Sequence, residues 1–187
     1  MSKTYDVAVL VGSLRKASIT RKAALAAMAA APSSLACKIV AIDLPLYNED
    51  LEDAVPQSWR DFRQAIAAAD AILFATPEYN RSLPGCVKNA IDVGSRPPGH
   101  NAWGGKPAGI ISVTPYKLGG MAANLALRQA LIFPNVPVMA QPEAYISGAA
   151  DLFGDDSTVK SEDTAKFLGT YMTAFAAWIE KIAPGKP

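Results

Sequence analysis

The sequence predicts a doubly wound α/β sandwich, with a five-stranded parallel sheet and helices on both faces. Apolar runs at residues 5–11, 37–43, 71–75, 108–113 and 136–140 alternate with helical patterns at 20–30, 58–69, 84–93, 121–131 and 163–182. The runs are nearly continuous, which is how strands read when helices cover both faces of a parallel sheet. In such a sheet, ligands bind in the crevice beyond the carboxyl ends of the strands. The loops that follow the strands therefore carry most of the functional information.

The first strand runs directly into Gly12-Ser13-Leu14-Arg15-Lys16-Ala17-Ser18 and then into an alanine-rich helix. Hydroxyls and cations at a strand-to-helix junction suit an anion, because the first N–H groups of a helix lack intrahelical partners and the helix dipole is positive there. Gly12 lets the backbone leave the strand without steric cost. Ser13 and Ser18 offer hydroxyl donors, the planar Arg15 guanidinium grips two phosphate oxygens at once, and Lys16 adds field. A nucleotide, a dinucleotide or a sugar phosphate fits this loop taken alone. A plain polar connection with a serine helix cap fits it too. The following helix holds little but alanine around Leu25 and Met28, which suits close packing on a sheet.

The second strand opens at Cys37, and Asp70 marks the end of the helix that follows it. The third strand feeds Thr76-Pro77-Glu78-Tyr79-Asn80-Arg81-Ser82-Leu83-Pro84-Gly85. Pro77 and Pro84 fix φ at two places, so the N–H groups of Glu78 to Asn80 can be held toward a flat heteroaromatic ligand with Tyr79 beside it. The alternative is a rigid connector whose tyrosine covers the sheet edge. The fourth strand feeds Thr114-Pro115-Tyr116-Lys117-Leu118-Gly119-Gly120, whose glycines permit close backbone approach or simply a flexible turn. Parallel strands deliver these loops to one edge, so together they can line one crevice.

Composition excludes several classes. At 187 residues, and without a Pro/Gly/Ser-rich divide, the chain reads as a single domain over 1–187. No apolar segment approaches the roughly 20 residues a bilayer span needs, and the N-terminus enters strand-like sequence without a signal pattern, so a cytoplasmic protein with no membrane partner is expected. Cys37 and Cys86 show neither disulfide-framework nor CxxC spacing and read as small buried thiols. His100 is the single histidine, which leaves no metal cluster and no evident Ser-His-Asp triad. A net charge of +1, scattered along the chain, gives no basic field for nucleic acid.

The chain resembles the NADPH-dependent FMN reductase family of flavodoxin-like proteins, in particular its quinone and chromate reductase branch. The resemblance rests on the Gly12 to Ser18 loop with Arg21-Lys22 and on Pro77-Glu78-Tyr79-Asn80 running into Pro84-Gly85-Cys86-Val87-Lys88-Asn89-Ala90-Ile91-Asp92 and Ser95-Arg96-Pro97. Gly104-Gly105-Lys106-Pro107, Gly119-Gly120, Leu127-Arg128-Gln129 and Gln141-Pro142-Glu143 follow in family order. The resemblance implies a flavodoxin-like fold that binds FMN, with the phosphate on Ser13, Arg15, Ser18 and Thr20. Thr20 stands where members usually carry asparagine. The isoalloxazine would lie beside Pro77, Glu78, Tyr79 and Asn80, with Thr114, Tyr116 and Gly119 across the crevice. A tyrosine at 116 is bulkier than this family's third loop usually carries.

The implied reaction is hydride transfer from NADPH or NADH to flavin N5, followed by two-electron reduction of a small-molecule acceptor: a quinone, a nitro or azo compound, chromate or free flavin. The flavin is the reagent, so no catalytic side chain is implied. Family members commonly form homodimers through the region of Lys88, Asn89, Asp92, Ser95 and Arg96. Some form homotetramers in which an arginine and a glutamate meet across chains near the active sites, and Arg128 and Glu143 match them. Two other classes compete. An electron-carrier flavodoxin would be strongly acidic, with a phosphate loop free of cations, and a flavin-free interaction module would share only the fold.

Overall fold

The computed structural model describes residues 3–183; Met1 and Ser2, with which the expected leaderless N-terminus begins, lie outside the described residues, as do residues 184–187. Five parallel strands, β1 (Tyr5–Val11), β2 (Leu35–Val40), β3 (Ala71–Thr76), β4 (Ala108–Val113) and β5 (Ala144–Ile146), form one sheet in the order β2-β1-β3-β4-β5. Five α-helices, α1 (Ile19–Ala29), α2 (Gln57–Ala68), α3 (Gly85–Gly94), α4 (Met121–Ala130) and α5 (Glu162–Ile182), complete the doubly wound sandwich. The strand order reverses direction between β1 and β3, which opens a crevice at their carboxyl ends.

The two-residue period of the strands sorts the core into two layers. Val7, Val9 and Val11 join Leu73, Ile111 and the inner faces of α1 and α5, whereas Ala8 and Leu10 join Ile72, Phe74, Ile110 and the faces of α2, α3 and α4. Ala23, Ala24, Ala26 and Ala27 are all buried, so the alanine run brings the α1 backbone close to the sheet. Trp59 and Trp103 are fully buried and fill the space under α2 and α3. Among the described residues, no helix is long and apolar enough to cross a membrane.

Two strand expectations need correction. The second strand covers Leu35–Val40 rather than 37–43, because β1 offers ladder partners only from Tyr5↔Leu35 to Leu10↔Val40. Ile42 is apolar for a different reason: it packs in the α2/α3 layer. The fifth strand is Ala144–Ile146 rather than 136–140. The predicted segment makes a single parallel bridge, Val138 to Ala108, before Gln141 and Pro142 carry the chain away from the ladder. Pro137 can only accept there, through its carbonyl to Ala108 N–H at 3.0 Å, since proline has no N–H to donate. The chain rejoins β4 at Ile111↔Ala144.

Candidate functional site

Residues 12–18 leave β1 at the carboxyl edge. Gly12 donates its N–H to the Ala75 carbonyl at 2.7 Å, tying the loop to the end of β3. Its need for glycine is one of space. A Cβ there would stand 2.8 Å from Val87 Cγ2 and 3.2 Å from Pro77 Cδ, so β1, α3 and the loop after β3 meet at this atom. Ser18 is the N-cap of α1, its Oγ accepting the Arg21 N–H at 3.1 Å, and its hydroxyl hydrogen stays available to a ligand. Thr20 is buried at 3% exposure in the first turn of α1. Ser13 is half-buried, while Arg15, Lys16 and Arg21 are exposed and have no ion-pair partner among the described residues.

The loop after β3 is a two-residue hairpin. Tyr79 and Ser82 exchange both backbone hydrogen bonds at 3.0 Å, and Asn80 and Arg81 at its tip adopt φ of 50° and 61°. Left-handed values at both tip residues match the twist of a hairpin. The Tyr79 N–H is therefore bound inside the turn, contrary to the expectation that all three N–H groups from Glu78 to Asn80 face a ligand. Those of Glu78 and Asn80 are the two the turn does not use. Pro77 is half-buried, and the Tyr79 ring is 48% exposed at the mouth of the cleft. A cavity of about 400 Å³ lies between Leu14 and Arg15 on one side and Tyr79, Pro84 and Cys86 on the other. That volume falls within the range of small-ligand pockets.

The Glu78 side chain has a role that sequence reasoning missed. Its Oε2 accepts the N–H groups of Ala122 at 3.0 Å and Ala123 at 3.3 Å, while its Oε1 faces Arg81 at 3.4 Å. The N-cap of α4 is Gly120, which offers no side-chain acceptor, so a carboxylate from another loop caps the helix. The signal was present only as an acid in one loop and an uncapped glycine start in another. Glu78→Ala is expected to lower stability by about 1–2 kcal/mol, with Glu78→Gln recovering part of the loss through its amide carbonyl. Urea unfolding of both variants measures this.

The loop 114–120 is tied to the hairpin, because the helix it leads into starts at the N–H groups that Glu78 caps. Thr114 is buried; its N–H donates to Ile146 O at 3.0 Å and its Oγ1 accepts the Tyr116 N–H at 3.3 Å. Gly119 and Gly120 have φ of 61° and 76°, and the Ser112 hydroxyl holds the Gly119 carbonyl at 2.8 Å. The Tyr116 side chain is 77% exposed.

The residues read from the sequence as oligomer neighbours do not line the cavity between the 12–18 loop and the hairpin. Arg96 follows α3 at the end away from Pro84, with its guanidinium 5.6 Å from the Tyr47 ring centre. Asn89, expected at a subunit contact, is buried instead: it accepts Tyr47 N–H at 2.8 Å and donates to the carbonyls of Leu44 and Pro45, pinning the segment after β2 against α3. Arg128 donates to Asn124 Oδ1 at 2.9 Å and Met139 O at 3.0 Å, and Glu143 accepts the Tyr145 hydroxyl at 2.6 Å. Arg128 and Glu143 do not pair within the chain.

Burial, then the hydrogen bond to Glu143 and that carboxylate's charge, push the Tyr145 phenol up to about 12, against the opposing charge of Arg128. Its folded value exceeds the ordinary 10, so the stabilisation is complete below pH 10 and is lost as pH rises through about 12. Ultraviolet titration is expected to find a phenol near 12 that Tyr145→Phe removes and Glu143→Gln shifts down, separate from the Tyr47 and Tyr171 phenols that burial also raises. Burial also raises the Cys37 and Cys86 thiols; both are half-buried, less enclosed than the small buried thiols expected from the sequence. Among the described residues, no group of three or more His, Cys, Asp or Glu side chains could hold a metal ion.

FMN fits the residues present. The Arg15 guanidinium and a helix N-terminus without an acidic first turn stand where a dianionic phosphate needs them, and a cleft leads from there to a hairpin with two unused N–H groups. Comparison with known proteins agrees. Residues 5–151 match the model of the NADPH-dependent FMN reductase family. The chain is 57% identical over 182 residues to a quinone reductase of Pseudomonas putida, covering 96% of this chain and 97% of the relative. It is 42% identical to a 2-hydroxy-1,4-benzoquinone reductase of a Burkholderia species, over 92% of this chain and 95% of that one. Among solved structures, FerB, a flavoenzyme NAD(P)H:(acceptor) oxidoreductase from Paracoccus denitrificans, superposes with a TM-score of 0.92 at 42% identity, covering 97% of this chain and 100% of FerB. With its loops at the carboxyl edge of a β2-β1-β3-β4-β5 sheet and these relatives matching nearly end to end, the chain belongs to the NADPH-dependent FMN reductase family.

Proposed function

We propose that residues 1–187 act as one FMN-binding domain that oxidises NADPH or NADH and reduces quinones, with chromate, azo and nitro compounds and free flavin as further acceptors. The observation that carries this reading is the cleft that the cationic 12–18 loop and the segment after β3 line at the β1/β3 crevice, with the helix after the 114–120 loop held to the hairpin by Glu78. When bound, FMN supplies the centre that accepts hydride and passes two electrons on. The chain's residues bind and orient it. Arg15, with the hydroxyls of Ser13, Ser18 and Thr20, holds the phosphate at the α1 N-terminus. The N–H groups of Glu78 and Asn80 address the ring edge, Pro77 and the Tyr79 ring flank it, and Thr114, Tyr116 and Gly119 border the opposite side. The cleft beside Tyr79 would admit donor and acceptor in turn to the bound flavin, which needs no acid–base side chain.

A homodimer belongs to the same reading. The groove between α3 and α4, about 490 Å³ and lined by Leu83, Ile91, Ala126 and Ala130, ends at Phe133, which is 95% exposed. An apolar groove beside an exposed aromatic supports a self-complementary contact. Arg128 and Glu143, unpaired with each other within the chain, are available to a second contact in a homotetramer. Residence in the cytoplasm is part of the proposal, supported by two free thiols in place of a disulfide.

An electron carrier is the competing reading, and the exposed Arg15 and Lys16 beside the phosphate position argue against it. Anaerobic mixing with NADPH and NADH separates the two. The purified protein is expected to be yellow, to release FMN on denaturation, and to bleach rapidly and fully with one or both donors before turning over with quinones. A colourless protein that cannot be reconstituted would remove the FMN reading. Slow bleaching by both donors would leave the carrier.

A further inference from the structure

A second cavity, about 400 Å³, adjoins the phosphate loop on the side away from the hairpin. Its lining joins the loop to the end of β2: Val11, Leu14 and residues 39–42 are its apolar members, Arg15, Lys16 and Arg21 its cations, and Asp43 its one acid. Leu14 and Arg15 line both cavities, so the two are neighbours sharing a wall. A single flavin phosphate carries a charge of roughly −1.5 to −2 and is matched by Arg15 together with the positive end of α1. Lys16 and Arg21 are then surplus. Both side chains are exposed, and neither has a hydrogen-bond or ion-pair partner among the described residues; the Arg21 backbone N–H alone is engaged, by Ser18. The next cation, Lys22, is by contrast neutralised by Asp155 at 2.8 Å. Unpaired like charges so close together repel one another unless an anion joins them.

We infer that this second groove receives the adenosine 2′-phosphate end of NADPH, with Lys16 and Arg21 on the phosphate and the exposed Leu14 beside the adenine, and so gives the protein a preference for NADPH over NADH. This deepens the FMN reading above and rests on it for the role of the donor. The 2′-phosphate is the chemical difference between the two donors, and it is the group that two surplus cations recognise. Asp43 opposes it but is outnumbered. With NADH the same groove would offer a ribose hydroxyl to cations that gain little from it.

The test has two arms. In turnover by the FMN-loaded protein, the kcat/KM ratio for NADPH over NADH is expected to fall about 10-fold in Lys16→Gln/Arg21→Gln, the loss appearing mainly as KM for NADPH. In calorimetry without turnover, the protein is expected to bind 2′,5′-ADP more tightly than 5′-ADP, with a difference that shrinks as salt rises and disappears in the double variant. FMN content, read from absorbance, is measured in each sample. An unchanged donor ratio, a parallel fall with both donors, or equal binding of the two ADP isomers by yellow protein overturns the inference while leaving the FMN reading standing. Discrimination between the ADP isomers by a protein that holds no FMN supports the groove and overturns the FMN reading instead.

Discussion

Gly119→Ala is expected to destabilise the protein by on the order of 3 kcal/mol, from two sources that a control separates. The first is backbone strain. Gly119 sits at φ 61°, a region that costs an alanine about 1–2 kcal/mol. The second is a clash. An added Cβ would stand 2.7 Å from both the carbonyl carbon and oxygen of Tyr145, and these are backbone atoms of β5 that cannot turn aside. Gly148 shares the strain without the clash: its φ is 58° and a Cβ there meets nothing within 4 Å. Gly148→Ala is therefore expected to cost about 1 kcal/mol. Comparing the two by urea unfolding isolates the contact between the 114–120 loop and β5. Gly119→Ala is also expected to weaken FMN binding, since relief of the clash moves this loop away from the Ser112 hydroxyl that positions it. Equal costs for the two variants would show that the close approach does not constrain the loop.

Arg15→Ala is expected to raise the dissociation constant for FMN by about 10- to 150-fold, the range set by losing a charge-assisted bond of about 1.5–3 kcal/mol. The guanidinium is exposed and free of partners among the described residues, so no internal ion pair is sacrificed when it turns to a phosphate. Folding stability without FMN is accordingly expected to change little. Arg15→Lys should fall between wild type and alanine, because it keeps the charge but not the planar fork. Titration of FMN into apoprotein, followed by quenching of flavin fluorescence, measures all three. Unchanged affinity in Arg15→Ala would remove the arginine from the site and leave the phosphate to the hydroxyls and the α1 N-terminus.

The elements whose limits could be read from the chain are those whose own chemistry ends them. β1, β3 and β4 are nearly continuous apolar runs bounded by Gly12, Asp70, Pro77 and Pro107, and the observed strands keep to those bounds. The Ser18 cap could likewise be read from a hydroxyl before a helical pattern. β5 could not. The 136–140 run is apolar because Val136 and Met139 are buried in opposite core layers, and burial leaves the same mark on a sequence whether or not a ladder forms. Ala144–Ile146 is too short to stand out, and it is a strand because Ile111 to Val113 lie alongside it.

The same division runs through the site. Residue types at one strand-to-helix junction were enough to mark an anion loop, and the Pro-Glu-Tyr-Asn block was enough to place the family. Glu78 capping α4, Asn89 pinning residues 44–47 and Tyr79 N–H closing its own turn involve partners up to 45 positions apart or a backbone angle, and neither leaves a local trace. The chain by itself determined the layered α/β architecture, the sheet edge at which the polar loops gather and the positive charge of the 12–18 loop, because periodicity, capping and residue charge are local properties. Only the tertiary structure decided which N–H groups remain for a flavin, where β5 lies and that a second cationic groove adjoins the first, because those depend on which distant segments share the same space.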